Sequence, residues 1–221
     1  MKIAIIAAMS KELALLLPLL ENHSTVSIND YTYHLGTIAG RDIVACQSGI
    51  GKVNAAIATL TIIENFHPSI VINTGVAGGA GAAKILDVVI PDRIAYHDVW
   101  CGPGTIPGQA ADCPATFDCP LPYDLVEKLG VRRGLVASGD IFISRAEDVQ
   151  RIVKMYPDCV AVDMESAAIA HTCFLKNVPF VAIRVVSDTP GSGDNIAQYE
   201  NFWSDAPART FHTLCSLLPL L

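Results

Sequence analysis

Residues 159–188 read CVAVDMESAAIAHTCFLKNVPFVAIRVVSD. CVAVDM and PFVAIRVV are continuous apolar runs of strand length. A run that does not alternate with polar residues predicts a strand buried on both faces. Between the two, ESAAIAHTCFLKN predicts a helix whose Ala and Ile positions suit close packing. Strand, helix and strand in direct succession predict a layered α/β fold.

The same alternation continues outward. KIAIIAA (2–8) is another doubly buried strand, and KELALLLPLL (11–20) a helix with Ser10 as candidate N-cap and Pro18 as its end or kink. Residues 31–38 and 41–48 alternate and are joined by Ala39-Gly40, which predicts a hairpin. KVNAAIATLTIIEN (52–65) predicts a helix and SIVIN (69–73) a strand, with TGVAGGAG as the loop after it. DVVIPDRIAYHD (87–98) carries two short strands, residues 101–122 a long Gly-, Pro- and Cys-rich loop. RGLVASG predicts a strand, 146–155 a helix, SDTPGSGDN a flexible loop, and the tail from about 196 one last helix. With no repeat and no linker, the expectation is one domain over 1–221. Its architecture is an α/β three-layer sandwich, with a central mixed, largely parallel sheet flanked by helices. Ligands in such folds sit beyond the C-terminal ends of strands.

The bulk properties narrow the function classes. The chain has 221 residues, 51% hydrophobic and 17% charged, with a formal net charge of −7. That excludes intrinsic disorder, and an acidic chain with no Lys/Arg run is a poor match to nucleic acid or an anionic membrane. No apolar run approaches the ~20 residues of a membrane span. The N-terminus is too short in apolar length for a signal peptide. Seven cysteines without a CxxC pair argue against a disulfide framework and a zinc site, and for a cytoplasmic location. CQSGIGKV (46–53) lacks the first Gly and the Ser/Thr of a Walker A loop, and GVAGGAGAAK (75–84) fails the dinucleotide fingerprint in every register. No nucleophile elbow and no zinc-peptidase or zinc-deaminase signature is present. His171 is expected to pack on a helix face.

Three acids stand just beyond expected strands: Glu12, Glu165 and Asp188. One such acid is ordinarily a helix cap or dipole partner. Three together point to one convergent site.

AAMSKE (7–12), SGIGKVNAA (48–56), NTGVAGG (73–79), SGDIFI (138–143), VDMESAAIAH (162–171) and FVAIRVVSD (180–188) occur in that order. In these motifs the chain resembles the 5′-methylthioadenosine/S-adenosylhomocysteine nucleosidase family of the nucleoside phosphorylase superfamily, over nearly its whole length. The resemblance implies hydrolysis of an N-glycosidic bond to adenine through an oxocarbenium-like sugar, with no cofactor and no metal. It implies that Asp188 protonates purine N7, Glu12 holds and deprotonates the water, Glu165 binds the ribose hydroxyls, and Arg184 places the water or the carboxylates. Met164 would pack on the sugar, Phe142 would stack on the purine, and the Ile143 backbone would read its Watson–Crick edge. Met9, Ile50, Val76, Ala77, Gly78 and Ser187 would line the substrate pocket. Arg184 is the expected counter-charge that keeps Glu12 ionised, while Asp188 needs burial or a nearby anion to keep its proton.

The chain departs from the family pattern in two places. Val76 stands where relatives often carry Ser or Thr, which removes a hydroxyl from the water and weakens any phosphate site. The stretch DVWCGPGTIPGQ (98–109) is shorter than in better-known members, where it covers the neighbouring subunit's 5′ pocket. Trp100 and Pro107 are the candidates for that role, and a homodimer is implied only by the resemblance. Residues 189–195 with Tyr199 and Phe202 are the candidate lid. Three other functions remain open at this stage. They are a purine nucleoside phosphorylase, a hydrolase of another 5′-modified nucleoside such as futalosine, and a nucleoside-binding domain without turnover.

Overall fold

β1 (Lys2–Ala7) sends alternate side chains into two separate cores. Ala4 and Ile6 join one cluster; Ile3, Ile5 and Ala7 join the other. This is the physical content of an uninterrupted apolar run: successive side chains point to opposite faces of the sheet, and both faces are covered. The computed structural model describes residues 1–205 and 208–221.

In chain order, β1 is followed by α1 (Ser10–Leu16), a 3₁₀ turn over Leu17–Leu19, β2 (Glu21–Ile28), β3 (Tyr31–Ile38), β4 (Arg41–Gln47) and α2 (Lys52–Phe66). Next come β5 (Ile70–Gly79), β6 (Val88–Val89), β7 (Arg93–Tyr96), β8 (Phe117–Asp118), α3 (Tyr123–Lys128), β9 (Leu135–Ser138) and α4 (Ala146–Met155). The last third holds β10 (Cys159–Asp163), α5 (Ser166–Lys176), β11 (Phe180–Asp188), α6 (Asn195–Asp205) and α7 (Ala208–Leu217). β1 pairs parallel with both β4 and β5, β11 parallel with β5, and β9 parallel with both β10 and β7. Antiparallel pairs join β2 to β3, β3 to β4, β5 to β10, β6 to β11 and β7 to β8. α2 and α5 cover one face through Ala55, Ala58, Ile62, Ala167 and Ile169. α1 and α7 cover the other through Leu13, Leu16, Phe211, Leu214 and Leu217. The expected α/β sandwich with helices on both sides of a mixed sheet is therefore present.

Several local expectations are corrected. The strand after α2 does not stop at residue 73: β5 runs to Gly79, and TGVAGG belongs to it. Glycine weakens a strand by itself, but here β11 and β10 pair with that half and hold it extended. α1 is entered from Met9, whose backbone is extended, so Ser10 lies inside the helix and is not the cap. β2 and the short α3 were not expected, and β8 interrupts the long loop. The tail forms α6 and α7, and residues 206 and 207 of the single helix expected there lie outside the described residues. His171 does pack on its helix, stacked on Phe117 at 5.0 Å between ring centres. Among the described residues no helix is long and apolar enough to cross a membrane.

Candidate active site

A cavity opens where β1, β5, β10 and β11 end. Glu12, Glu165 and Asp188 all line it, together with Met9, Ile50, Val76, Ala77, Gly78, Phe142, Ile143, Met164, Ser187 and Tyr199. Ala8, Ile141, Val162 and Asp163 complete the wall. The sequence therefore brings fourteen of its expected site residues near one space: thirteen line it, and Arg184 lies behind the wall. Phe202 is buried against Trp203 and does not line the cavity. Trp100 is 65% exposed on the loop after β7, and Pro107 is also exposed; neither reaches this chain's own cavity.

Each acid is held by the element that delivers it. Glu12 sits in the first turn of α1, where Oε2 accepts the Met9 N–H at 2.9 Å and Oε1 accepts the Val76 N–H at 3.1 Å. β5 makes this possible by passing very close: a Cβ on Gly75 would stand 2.5 Å from Glu12 Oε1. Glycine at 75 is therefore a requirement of space. Glu165 precedes α5, and its Oε1 accepts the Gly51 N–H at 2.9 Å. Asp188 ends β11 at a bulge: Val186 pairs with Ala77 and Asp188 with Gly78, so Ser187 is the extra residue. Such a bulge re-aims the side chain that follows it. Ser187 Oγ then donates to Asp188 Oδ1 at 2.7 Å, and Asn195 Nδ2 approaches Oδ2 at 3.5 Å.

Burial sets the protonation tendencies. It pushes Glu12 above the ordinary carboxylate range, against the pull of Arg184 and the backbone N–H donors. Glu165 is pushed up to about 7, by burial first and then by the negative charge of Asp163. Asp188 is also raised by burial, with Ser187 and Asn195 opposing. Burial thus favours the protonated form of all three carboxyls, and on Glu12 the Arg184 charge and the backbone donors pull the other way.

Arg184 pulls on Glu12 electrostatically, as expected, but its hydrogen bonds go elsewhere. Its Nε donates to Asp163 Oδ2 at 2.7 Å, and the same guanidinium bonds Asn73 and Ser166. Asp163 in turn accepts from Ser138 and Ser166. Asp163, Ser138, Ser166 and Asn73 were missed by sequence reasoning. The signal was present: an Arg in the middle of a wholly apolar strand, FVAIRVV, demands a buried carboxylate partner. Removing that partner strands the guanidinium. Asp163→Ala is expected to lower the unfolding free energy by about 3–5 kcal/mol. Urea denaturation measures this, and a loss under about 1 kcal/mol would show that the arginine is satisfied without Asp163.

Among the described residues no group of three or more His, Cys, Asp or Glu could hold a metal ion. The site offers carboxyls, backbone N–H groups and apolar walls, and this suits proton transfer at a partly apolar ligand.

The chain is similar to known proteins over nearly its whole length. Residues 2–219 match the family model of the phosphorylase superfamily. The chain is 39% identical to a 5′-methylthioadenosine/S-adenosylhomocysteine nucleosidase of Actinobacillus succinogenes, covering 99% of this chain and 98% of that one. The crystal structure of such a nucleosidase from Neisseria meningitidis, in complex with methylthio-immucillin-A, superposes with a TM-score of 0.92 at 38% identity. That match covers 100% of this chain and 99% of the other. A nucleosidase of the same name from Colwellia psychrerythraea, in complex with adenine, gives a TM-score of 0.92 at 36% identity over 99% of this chain and 94% of that one.

Proposed function

The chain belongs to the 5′-methylthioadenosine/S-adenosylhomocysteine nucleosidase family of the phosphorylase superfamily and is a purine nucleosidase; we propose that it hydrolyses the N-glycosidic bond of those two nucleosides, releasing adenine and the 5′-thio-substituted ribose. The observation that carries this reading is the convergence of Glu12, Glu165 and Asp188 on one cavity. The whole of residues 1–221 serves it as one nucleosidase domain.

The purine lies against Phe142, with the Ile143 backbone at its Watson–Crick edge. Asp188 delivers its proton to N7 as the bond to the sugar lengthens, so the base leaves neutral. The ribose lies over Met164, and Glu165 receives its hydroxyls. Positive charge grows on the sugar, and water held by Glu12 attacks C1′ while its proton passes to the Glu12 carboxylate. Val76 gives this site an N–H to Glu12 but no hydroxyl to the water, so Glu12 carries more of the positioning. The same features disfavour phosphorolysis. A phosphate would meet the Glu12 carboxylate, and Arg184 is engaged by Asp163 behind the wall.

The assembly that goes with this reading is a homodimer. Ile50, Val53, Ile57 and Leu60 expose apolar surface along one side of α2 and its entry, and Phe174 and Leu175 do so on the neighbouring α5. Trp100 and Pro107 would then reach the partner's 5′ pocket from the loop after β7. A reducing, cytoplasmic setting suits the free cysteines, of which Cys46, Cys119, Cys159 and Cys173 are buried.

Purified protein incubated with each nucleoside, with and without phosphate, tests the reaction. Adenine and free thio-ribose at equal rates in both buffers are expected. A sugar 1-phosphate formed only with phosphate would make the enzyme a phosphorylase. No adenine from either nucleoside would redirect the site to another 5′-modified nucleoside.

A further inference from the structure

Lys11 stands one residue before Glu12, yet its side chain turns the other way. Its Nζ lies 5.0 Å from the ring centre of Tyr199 and 4.1 Å from that of Trp203. Tyr199 walls the main cavity, and its hydroxyl donates to Met9 Sδ at 3.3 Å. Lys11 also borders a shallow second hollow, which shares Met9 and Ile50 with the main cavity and adds the polar side chains of Gln47 and Asn54. The ammonium therefore sits beside the main cavity, on the side of Met9 and Ile50.

The surroundings of that ammonium are specific. The two aromatic rings remove part of its water, and this lowers its proton affinity. Glu12 and Glu200 act against that effect, Glu12 from within the cavity and Glu200 from the exposed side of α6 beside Tyr199. A cation held on aromatic faces keeps its N–H donors available to an incoming anion. Lys11 thus offers a single positive charge there.

We propose that the 5′ substituent leaves the enclosed space on this side and that Lys11 receives the carboxylate of an α-amino acid at its end. The inference rests on the hydrolase reading given above. Of the two nucleosides, S-adenosylhomocysteine ends in such a zwitterion, whereas 5′-methylthioadenosine ends in a methyl group. The ammonium therefore biases the enzyme toward the amino-acid-bearing substrate. A partly exposed charge pair contributes modestly, so the bias amounts to a few-fold.

The test is the ratio of kcat/KM for S-adenosylhomocysteine to that for 5′-methylthioadenosine, in the wild type, Lys11→Met and Lys11→Gln. We expect this ratio to fall about fivefold in both variants, with the wild-type preference shrinking at high salt. Lys11→Met removes a contact to Tyr199 and Trp203 and can slow both substrates together, which the ratio cancels. Lys11→Gln, which keeps a polar side chain at the position, keeps the test open if Lys11→Met folds poorly. Ratios within twofold of wild type in both variants would overturn the subsite and leave the hydrolase reading standing. A wild-type enzyme that releases adenine from neither nucleoside would overturn both.

Discussion

Asp188→Asn is expected to lower kcat by about 10³-fold while nucleoside affinity stays within about tenfold of wild type. The substitution keeps the shape of the side chain. Its amide can still receive the Ser187 hydroxyl, which donates to Asp188 Oδ1 at 2.7 Å, and the bulge that aims it is a backbone feature. What it loses is a transferable proton. Adenine leaving as an anion is a far poorer leaving group than adenine protonated at N7. The loss therefore falls on the transition state and hardly touches the ground state. Burial raises the Asp188 pKa, so the wild type retains this proton further toward neutrality than a free Asp near ~3.9. The sign follows directly: the acid must be protonated, so the wild-type rate falls as pH rises through the Asp188 pKa. That falling limb should vanish from the residual rate of the variant. Single-turnover adenine release and calorimetric binding measure the two quantities separately. Rates near wild type would remove Asp188 from the role of acid.

The residues of this site differ in how legible they were, for physical reasons. Glu12, Glu165 and Asp188 were readable because each follows an apolar strand, and the chain order of strands fixes where their C-terminal ends gather. TGVAGG was misread because its glycines weaken the strand signal. Its pairing partners, Ala161 and Val162 on β10 and Ile183–Asp188 on β11, come from far along the chain. β2, ENHSTVSI, is exposed along nearly its whole length, so no apolar face announces it. The fate of Arg184 could have been inferred from its burial, but which carboxylate claims it depends on the register between β9 and β10, which sets Asp163 beside Ser138. Tyr199 and Phe202 lie on one helix one turn apart. Only packing decides that the first walls the cavity and the second supports Trp203. Lys11 lies inside AAMSKE but suggested no role of its own, because a lysine in a first helical turn is ordinarily solvated.

Glu12→Gln is expected to abolish hydrolysis to a similar degree, about 10³-fold in kcat, with the opposite effect on the pH profile. The carboxylate accepts two backbone N–H groups, from Met9 and from Val76, one on each oxygen. A carboxylate has lone pairs left over for a water; a carboxamide has one acceptor oxygen and a donor NH₂. In the variant the NH₂ must face either the Met9 or the Val76 N–H, donor against donor. This leaves one buried group unsatisfied and is expected to cost about 1–3 kcal/mol of stability. A thermal melt separates that effect from the catalytic one, because the folded fraction is known at the assay temperature. The catalytic loss has its own cause, since the amide cannot take the proton of the attacking water. In the wild type Glu12 must be ionised to act, so the rate falls as pH is lowered through its pKa. Burial raises that pKa, so the fall begins at higher pH than for a free Glu near ~4.3. The low-pH limb should be missing in Glu12→Gln and the high-pH limb in Asp188→Asn. Together the two variants divide a bell-shaped profile between its base and its acid. If Glu12→Gln keeps activity within tenfold of wild type, the water is activated elsewhere. Glu165, whose pKa is pushed up to about 7 in the same cavity, would be the next carboxylate to replace.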